Sequence, residues 1–155
     1  MDGGAREDWD EVAGRIRALT TGETDAVAVM ATLACELHRA DPRFDWTGFY
    51  RVVAPSLLKI GPYQGGHGCL AIPFDKGVCG ACARTGEVQI VEDVDAFPGH
   101  IACSSSTRSE IVLPVRDGAG ALIGVLDIDS DRPAAFGPED ARRLEAILRD
   151  AFASC

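Results

Sequence analysis

Apolar positions recur along this chain with two different periods, and the change of period divides it. Residues 7–19, EDWDEVAGRIRAL, place Trp9, Val12, Ile16 and Leu19 three or four apart, the spacing of one helix face. Thr20 and Glu23 of the following TTGE have capping-box spacing, and Val29, Met30, Leu33 and Leu37 continue as a second helical stripe. From Asp45 the texture becomes short β-rich runs punctuated by Gly, Pro and Asp: DWTGFYRVV, SLLKIGPYQG, CLAIPF, EVQIVEDV, SEIVLPVRD and ALIGVLDIDS. KGVCGACARTG reads as a short helical turn between the third and fourth runs, and AFPGHIACSSSTR as a long connection before the fifth. At the end, FGPEDARRLEAILRDAF puts Pro138 at a first helical position and Leu144, Ile147, Leu148, Ala151 and Phe152 on one face. The pattern predicts an α+β fold: a roughly six-stranded antiparallel sheet with the N-terminal helices and the C-terminal helix packed on one side. A length of 155 residues suits a single domain over residues 1–155, with the Gly-rich residues 1–5 flexible.

Strand arithmetic brings acids together. SEIVLPVRD and ALIGVLDIDS flank DGAG, a hairpin signal. If residues 116 and 121 face each other, Glu110 lies opposite Asp127, Val112 opposite Val125 and Pro114 opposite Ile123. Asp129, two residues on, shares the face of Asp127. One face then begins apolar and ends in three carboxylates, a crowding that costs up to about 1 kcal/mol per opposed like-charged pair unless a cation or a shared proton relieves it. A bulge shifting the register by one would instead scatter the acids over both faces. Held together, they suit recognition of an ammonium, general acid work by a carboxyl of raised pKa, or a hard cation; without further oxygen ligands the last is a weak metal motif.

Composition narrows the class. A net charge of −9 repels nucleic acid and anionic membrane surfaces, and no apolar run approaches the roughly 20 residues that span a bilayer. The acidic start MDGGAREDWDE lacks a secretory signal, so a cytoplasmic setting is expected. In that compartment the six cysteines, Cys35, Cys69, Cys79, Cys82, Cys103 and Cys155, are core fillers, metal ligands or redox groups rather than a disulfide scaffold. CGAC at 79–82 lacks the parallel βαβ setting of a thioredoxin motif, and Cys69, Cys79, Cys103 and His67 match no standard zinc spacing, so no metal is expected. Cys35 and Cys82 read as fillers and Cys155 as a frayed terminal thiol. Cys103 differs: it lies in a loop seven residues before Glu110, able to reach the acidic end of the sheet, with His100 and Arg108 near in sequence to favour a thiolate.

The segments GPYQGGHGCLAIPFDKGVCG, FPGHIACSSS, SEIVLPV and GVLDIDS resemble, in order and spacing, the GAF-domain free methionine-(R)-sulfoxide reductases. The likeness runs from about Asp45 to the C-terminus, and its most specific element is the triplet Cys69, Cys79 and Cys103 at intervals of ten and twenty-four. The resemblance implies that Cys103 attacks the sulfoxide sulfur, that Cys69 or Cys79 resolves the product as a disulfide, and that a thioredoxin-type dithiol recycles it without a bound cofactor. It implies that Glu110, Asp127 and Asp129 line the pocket and that Trp46 and Tyr50 enclose the substrate's methyl end. For the proton that a sulfoxide oxygen needs, Glu110, kept neutral by its acidic neighbours, is the expected donor, although sequence alone does not divide the roles among the three acids. Homodimers are a habit of the family and agree with the long N-terminal helices. Two positions depart from its pattern: Ser104 stands where Asp is usual, and Cys82 is an extra thiol beside Cys79. Rival readings are a GAF sensory module binding a cyclic nucleotide or another small ligand, a bilin-attachment domain, and a domain whose cysteines are incidental.

Overall fold

The computed structural model describes residues 5–155, so all but the last of the expected flexible residues 1–5 lie outside the described residues. Helices α1 (Trp9–Thr20) and α2 (Ala26–Ala40) precede strands β1 (Trp46–Ala54), β2 (Leu57–Gln64) and β3 (Ala71–Pro73). Helix α3 (Gly77–Thr85) leads to β4 (Gln89–Val91), then come β5 (Ser109–Arg116) and β6 (Leu122–Ser130), and α4 (Pro138–Ala151) closes the chain. The six strands form one antiparallel sheet in the order β3-β2-β1-β6-β5-β4. Among the described residues no helix is long and apolar enough to cross a membrane.

Both sheet faces are covered, and strand alternation assigns residues to each. Phe49, Ile111, Leu113, Val115, Leu126 and Ile128 point toward α1, α2 and α4 and build the larger core with Trp9, Leu33, Leu144 and Phe152. The intervening residues Trp46, Tyr50, Val112 and Val125 meet α3 on the opposite face, with Val78, Cys79 and Cys82. The terminal helices thus share one side, as their stripes predict, and α3 supplies a cover for the second side that the sequence pattern did not announce. Its first seven residues, Gly77–Ala83, are all buried, so no polar face marks it as amphipathic.

Local departures have simple causes. Thr20 does not cap α2; it ends α1, its hydroxyl donating to the Ile16 carbonyl at 2.8 Å. Asp25 is the cap, its carboxylate accepting the Val27 and Ala28 N–H groups at 2.9 and 3.4 Å, while Glu23 binds the preceding amides of Thr24 and Asp25. Leu19, counted in the first stripe, is 58% exposed. Cys35 is half-buried. Cys155 is tied down rather than frayed: its N–H donates to Phe152 and its carbonyl accepts the Gly118 N–H.

The β5–β6 register differs from the expected one by two residues. Glu110 pairs with Asp129, Val112 with Asp127 and Pro114 with Val125. Asp117 accepts the N–H groups of Ala119 and Ala121, both at 2.9 Å, which widens the turn so that Arg116 pairs with Leu122. Gly120, at φ 86°, takes the left-handed conformation this turn requires. A bulge between Val115 and Arg116 adds the second residue of displacement. Because side chains alternate with period two, the two single-residue shifts restore parity and the three acids stay on one face.

Arg43 clamps α2 to α4. Its guanidinium contacts Asp41 at 2.7 Å and Asp140 at 2.8 Å, where the two carboxylate side chains are 0% and 8% exposed. Burial pushes the Asp140 carboxyl up, but hydrogen bonds from Arg43 and the Gly137 N–H outweigh it and hold it below the usual carboxylate range. Asp140→Ala leaves Arg43 on Asp41 but removes its bonds to α4 and the acceptor of the Gly137 N–H, so it is expected to cost about 2 kcal/mol in urea unfolding. A loss below about 1 kcal/mol, the scale of an exposed pair, would contradict this role.

Candidate functional site

A pocket of about 290 Å³ opens at one end of the sheet on the α3 face. Its floor comes from the strands: Glu110 of β5 with Asp127 and Asp129 of β6, alongside Trp46 and Tyr50 of β1. β1 pairs with β6 so that Trp46 meets Asp129, Gly48 meets Asp127 and Tyr50 meets Val125, which sets aromatics and acids side by side on one surface. α3 contributes Gly77, Val78 and Cys79, and the connection before β5 contributes His100, Ile101, Cys103 and Ser104. That connection is anchored at both ends, with the Gly77 N–H on the Gly99 carbonyl at 3.0 Å and the Arg108 N–H on the Ser130 carbonyl at 2.8 Å.

Cys103 forms a disulfide with Cys69, the Cα atoms 5.4 Å apart, within the usual span of such bonds. Cys103 lines the pocket, whereas Cys69 packs with the apolar residues of that face, its chain held by the Leu70 carbonyl accepting from Ile60 at 3.0 Å. The pairing joins the loop after β2 to the loop before β5. Cys79 takes no part in it; the thiol is buried against Asp127 and Glu110, and burial first, then these carboxylates, push it well above its ordinary value. Cys82, 0% exposed, faces the apolar cluster, and burial raises it to about 12. Of the two basic neighbours considered for Cys103, His100 lines the pocket and Arg108 is exposed and does not. Ser104 lines the rim, its hydroxyl 3.1 Å from that of Ser106.

The acids are crowded and starved of water. Glu110 and Asp127 are 6% and 5% exposed, and Asp129 is half-buried. Burial is the largest cause that raises each, followed for Glu110 and Asp127 by the charge of Asp129. Glu110 and Asp127 rise well above the carboxylate range and Asp129 to about 6, so the trio as a unit retains protons that isolated carboxylates would have lost. One oxygen of Asp127 and one of Asp129 are buried without a hydrogen-bond partner. Among the described residues no lysine or arginine lines the pocket, so the site offers proton donors and cation ligands rather than an anion cradle.

Trp46 and Tyr50 form the aromatic wall of the pocket, and Tyr63, which does not line it, backs Trp46. Trp46 stacks on Tyr50 at 5.9 Å and on Tyr63 at 5.3 Å, and its indole N–H donates to the Gly66 carbonyl at 2.7 Å. Tyr63 pairs with Gly48 across β1–β2, a contact that hairpin arithmetic on DWTGFY and GPYQG would have found. Gly48 lets the indole lie flat, since a Cβ there would sit 2.5 Å from both the Trp46 ring and the Tyr63 Cβ. Gly48→Ala is expected to displace the indole at an overpacking cost of about 1–3 kcal/mol, read by urea unfolding. An unchanged stability would show that the ring yields without cost.

A GAF-domain family model matches residues 20–151. A curated relative, free methionine-R-sulfoxide reductase of Escherichia coli, is 40% identical over 131 residues, covering 84% of this chain and 78% of its own. The free methionine-R-sulfoxide reductase of Neisseria meningitidis, solved in complex with its substrate, is 41% identical with a TM-score of 0.85, covering 97% of this chain and 94% of that one. The reduced form of fRMsr from Staphylococcus aureus is 32% identical with a TM-score of 0.91, covering 99% of both chains. Fold, sequence match and the paired cysteines at an acidic pocket agree: this chain belongs to the GAF-domain family and, within it, to the free methionine-R-sulfoxide reductases.

Proposed function

We propose that this chain reduces free methionine-R-sulfoxide to methionine, with Cys103 as nucleophile, Cys69 as resolving thiol and a thioredoxin-type dithiol as reductant. The observation that carries the reading is the Cys69–Cys103 disulfide at the edge of a pocket whose floor holds three buried carboxyls. A sulfoxide is a polarised S=O bond, and its reduction needs a nucleophile at sulfur and a proton at oxygen. The Cys103 thiolate attacks the sulfur while Glu110 donates its proton to the oxygen, which passes to the cysteine sulfur as the S=O bond breaks. Methionine leaves and Cys103 remains a sulfenic acid. Cys69 then attacks Cys103, a disulfide forms and water departs. A dithiol restores both thiols by exchange.

Asp127 and Asp129 attract the substrate's ammonium and share protons with Glu110, and Trp46 and Tyr50 pack on the methyl end. The pocket's small volume suits a free amino acid of about ten non-hydrogen atoms better than a peptide segment. Recycling by a dithiol fits a reducing cytoplasm, and the family habit of homodimers extends to this chain. A cyclic-nucleotide sensor is the weaker reading, since five acids and no lysine or arginine line the pocket among the described residues.

Cys69→Ser tests the assignment. The reduced variant is expected to release one methionine per chain and then stall with Cys103 as sulfenic acid, read by quenched product assay and by dimedone labelling. Sustained turnover with a dithiol would reassign resolution to another thiol, and a disulfide mapped to Cys79 in the exposed wild type would do the same.

A further inference from the structure

We propose that the pocket floor also binds a thiophilic divalent cation of the zinc class, held by Cys79 Sγ and by carboxylate oxygens of Glu110 and Asp127, in competition with the organic substrate. The coordination does not require the chain to be a reductase; only the competition with methionine sulfoxide rests on that reading. The three ligand atoms come from α3, β5 and β6 and lie within 4.8 Å of one another. Bonds of about 2.0–2.3 Å in a tetrahedral zinc site separate ligand atoms by roughly 3.3–3.8 Å, so side-chain adjustments of about 1 Å close the shell.

Two observations beyond proximity point to a cation. Asp127 is 5% exposed, yet one of its oxygens has no hydrogen-bond partner, and Asp129 beside it has another such oxygen. Buried carboxylate oxygens are ordinarily satisfied. The pocket also has no lysine or arginine lining among the described residues to offset its acids. The donor set then selects the metal. Magnesium and calcium require about six to eight oxygen ligands, whereas a thiol with two carboxylates suits zinc and its neighbours. Three protein ligands leave a fourth position toward the pocket, the arrangement of an open zinc site, and a cation there occupies the space next to the aromatic wall.

Cys69 and Cys103 are not ligands in this arrangement, which fixes the experiment. Oxidised protein, with the Cys69–Cys103 disulfide intact and with Cys35→Ser and Cys155→Ser substitutions removing the half-buried thiols, is titrated with cobalt(II) chloride in a non-chelating buffer without reductant. One cobalt per chain is expected, with a near-ultraviolet thiolate-to-cobalt charge-transfer band that zinc abolishes, that millimolar magnesium leaves unchanged, and that added methionine sulfoxide weakens. Adding Cys79→Ser should remove the band, Cys82→Ser should keep it, and Asp127→Asn should raise the cobalt Kd at least about 100-fold, beyond the 10–100-fold typical of a group outside the coordination shell. Absence of the band, its survival in Cys79→Ser, or displacement by magnesium would overturn the site. Should Cys79→Ser fail to fold, as read by circular dichroism, an unchanged affinity in Asp127→Asn overturns it equally. None of these readings depends on turnover, so failure here leaves the reductase reading standing.

Discussion

Cys103→Ser is expected to abolish consumption of methionine-R-sulfoxide, lowering kcat by on the order of 10⁴-fold or more, the scale seen when a covalent nucleophile is removed. A hydroxyl is a far weaker nucleophile toward sulfur than a thiolate, and it holds its proton far more tightly than a thiol does. The substitution is nearly isosteric, and the disulfide belongs to one redox state only, so the reduced variant should fold and still bind methionine. Measuring methionine release under dithiol, together with calorimetric binding of methionine, separates lost chemistry from lost binding. Undiminished release would dismiss the sulfur at 103 as nucleophile.

Glu110→Gln should lower kcat by about 10²–10⁴-fold, the usual contribution of a positioned general acid, with KM changed much less. The amide keeps the shape and the hydrogen-bonding reach of a protonated carboxyl but does not release a proton to the sulfoxide oxygen. The fold should not suffer, because a neutral amide relieves the crowding among three carboxyls that share one surface. A melting temperature at or above that of the wild type, with kcat collapsed, is therefore the expected signature. If kcat were retained, the proton would have to come from Asp127 or Asp129.

Much of this arrangement could be read from residue order because strands alternate strictly. The parity of Glu110, Asp127 and Asp129 survived a register displaced by two, while the identity of the opposed pairs did not, since the turn at Asp117 and the bulge beside it are set by local hydrogen bonds. Helix α3 was legible as a short helical turn but not as the cover of a second sheet face, because a run of small residues buried on every side carries no amphipathic signal. The choice between Cys69 and Cys79 was closed to sequence for another reason. Both match candidate resolving positions of the family, and only the folded loops reveal that one thiol is paired with Cys103 and the other faces acids. Arg108 shows the converse: five residues from Cys103 in the chain, it points away into solvent.

The bond between Cys69 and Cys103 spans 34 residues, a segment that contains β3, α3 and β4. Oxidation therefore turns a linear polymer into a ring with two tails, removing on the order of 3–4 kcal/mol of chain freedom from the denatured ensemble in the entropic account of such cross-links. In the cycle proposed above the chain would alternate between these topologies, and the form that waits for electrons would be the harder one to unravel.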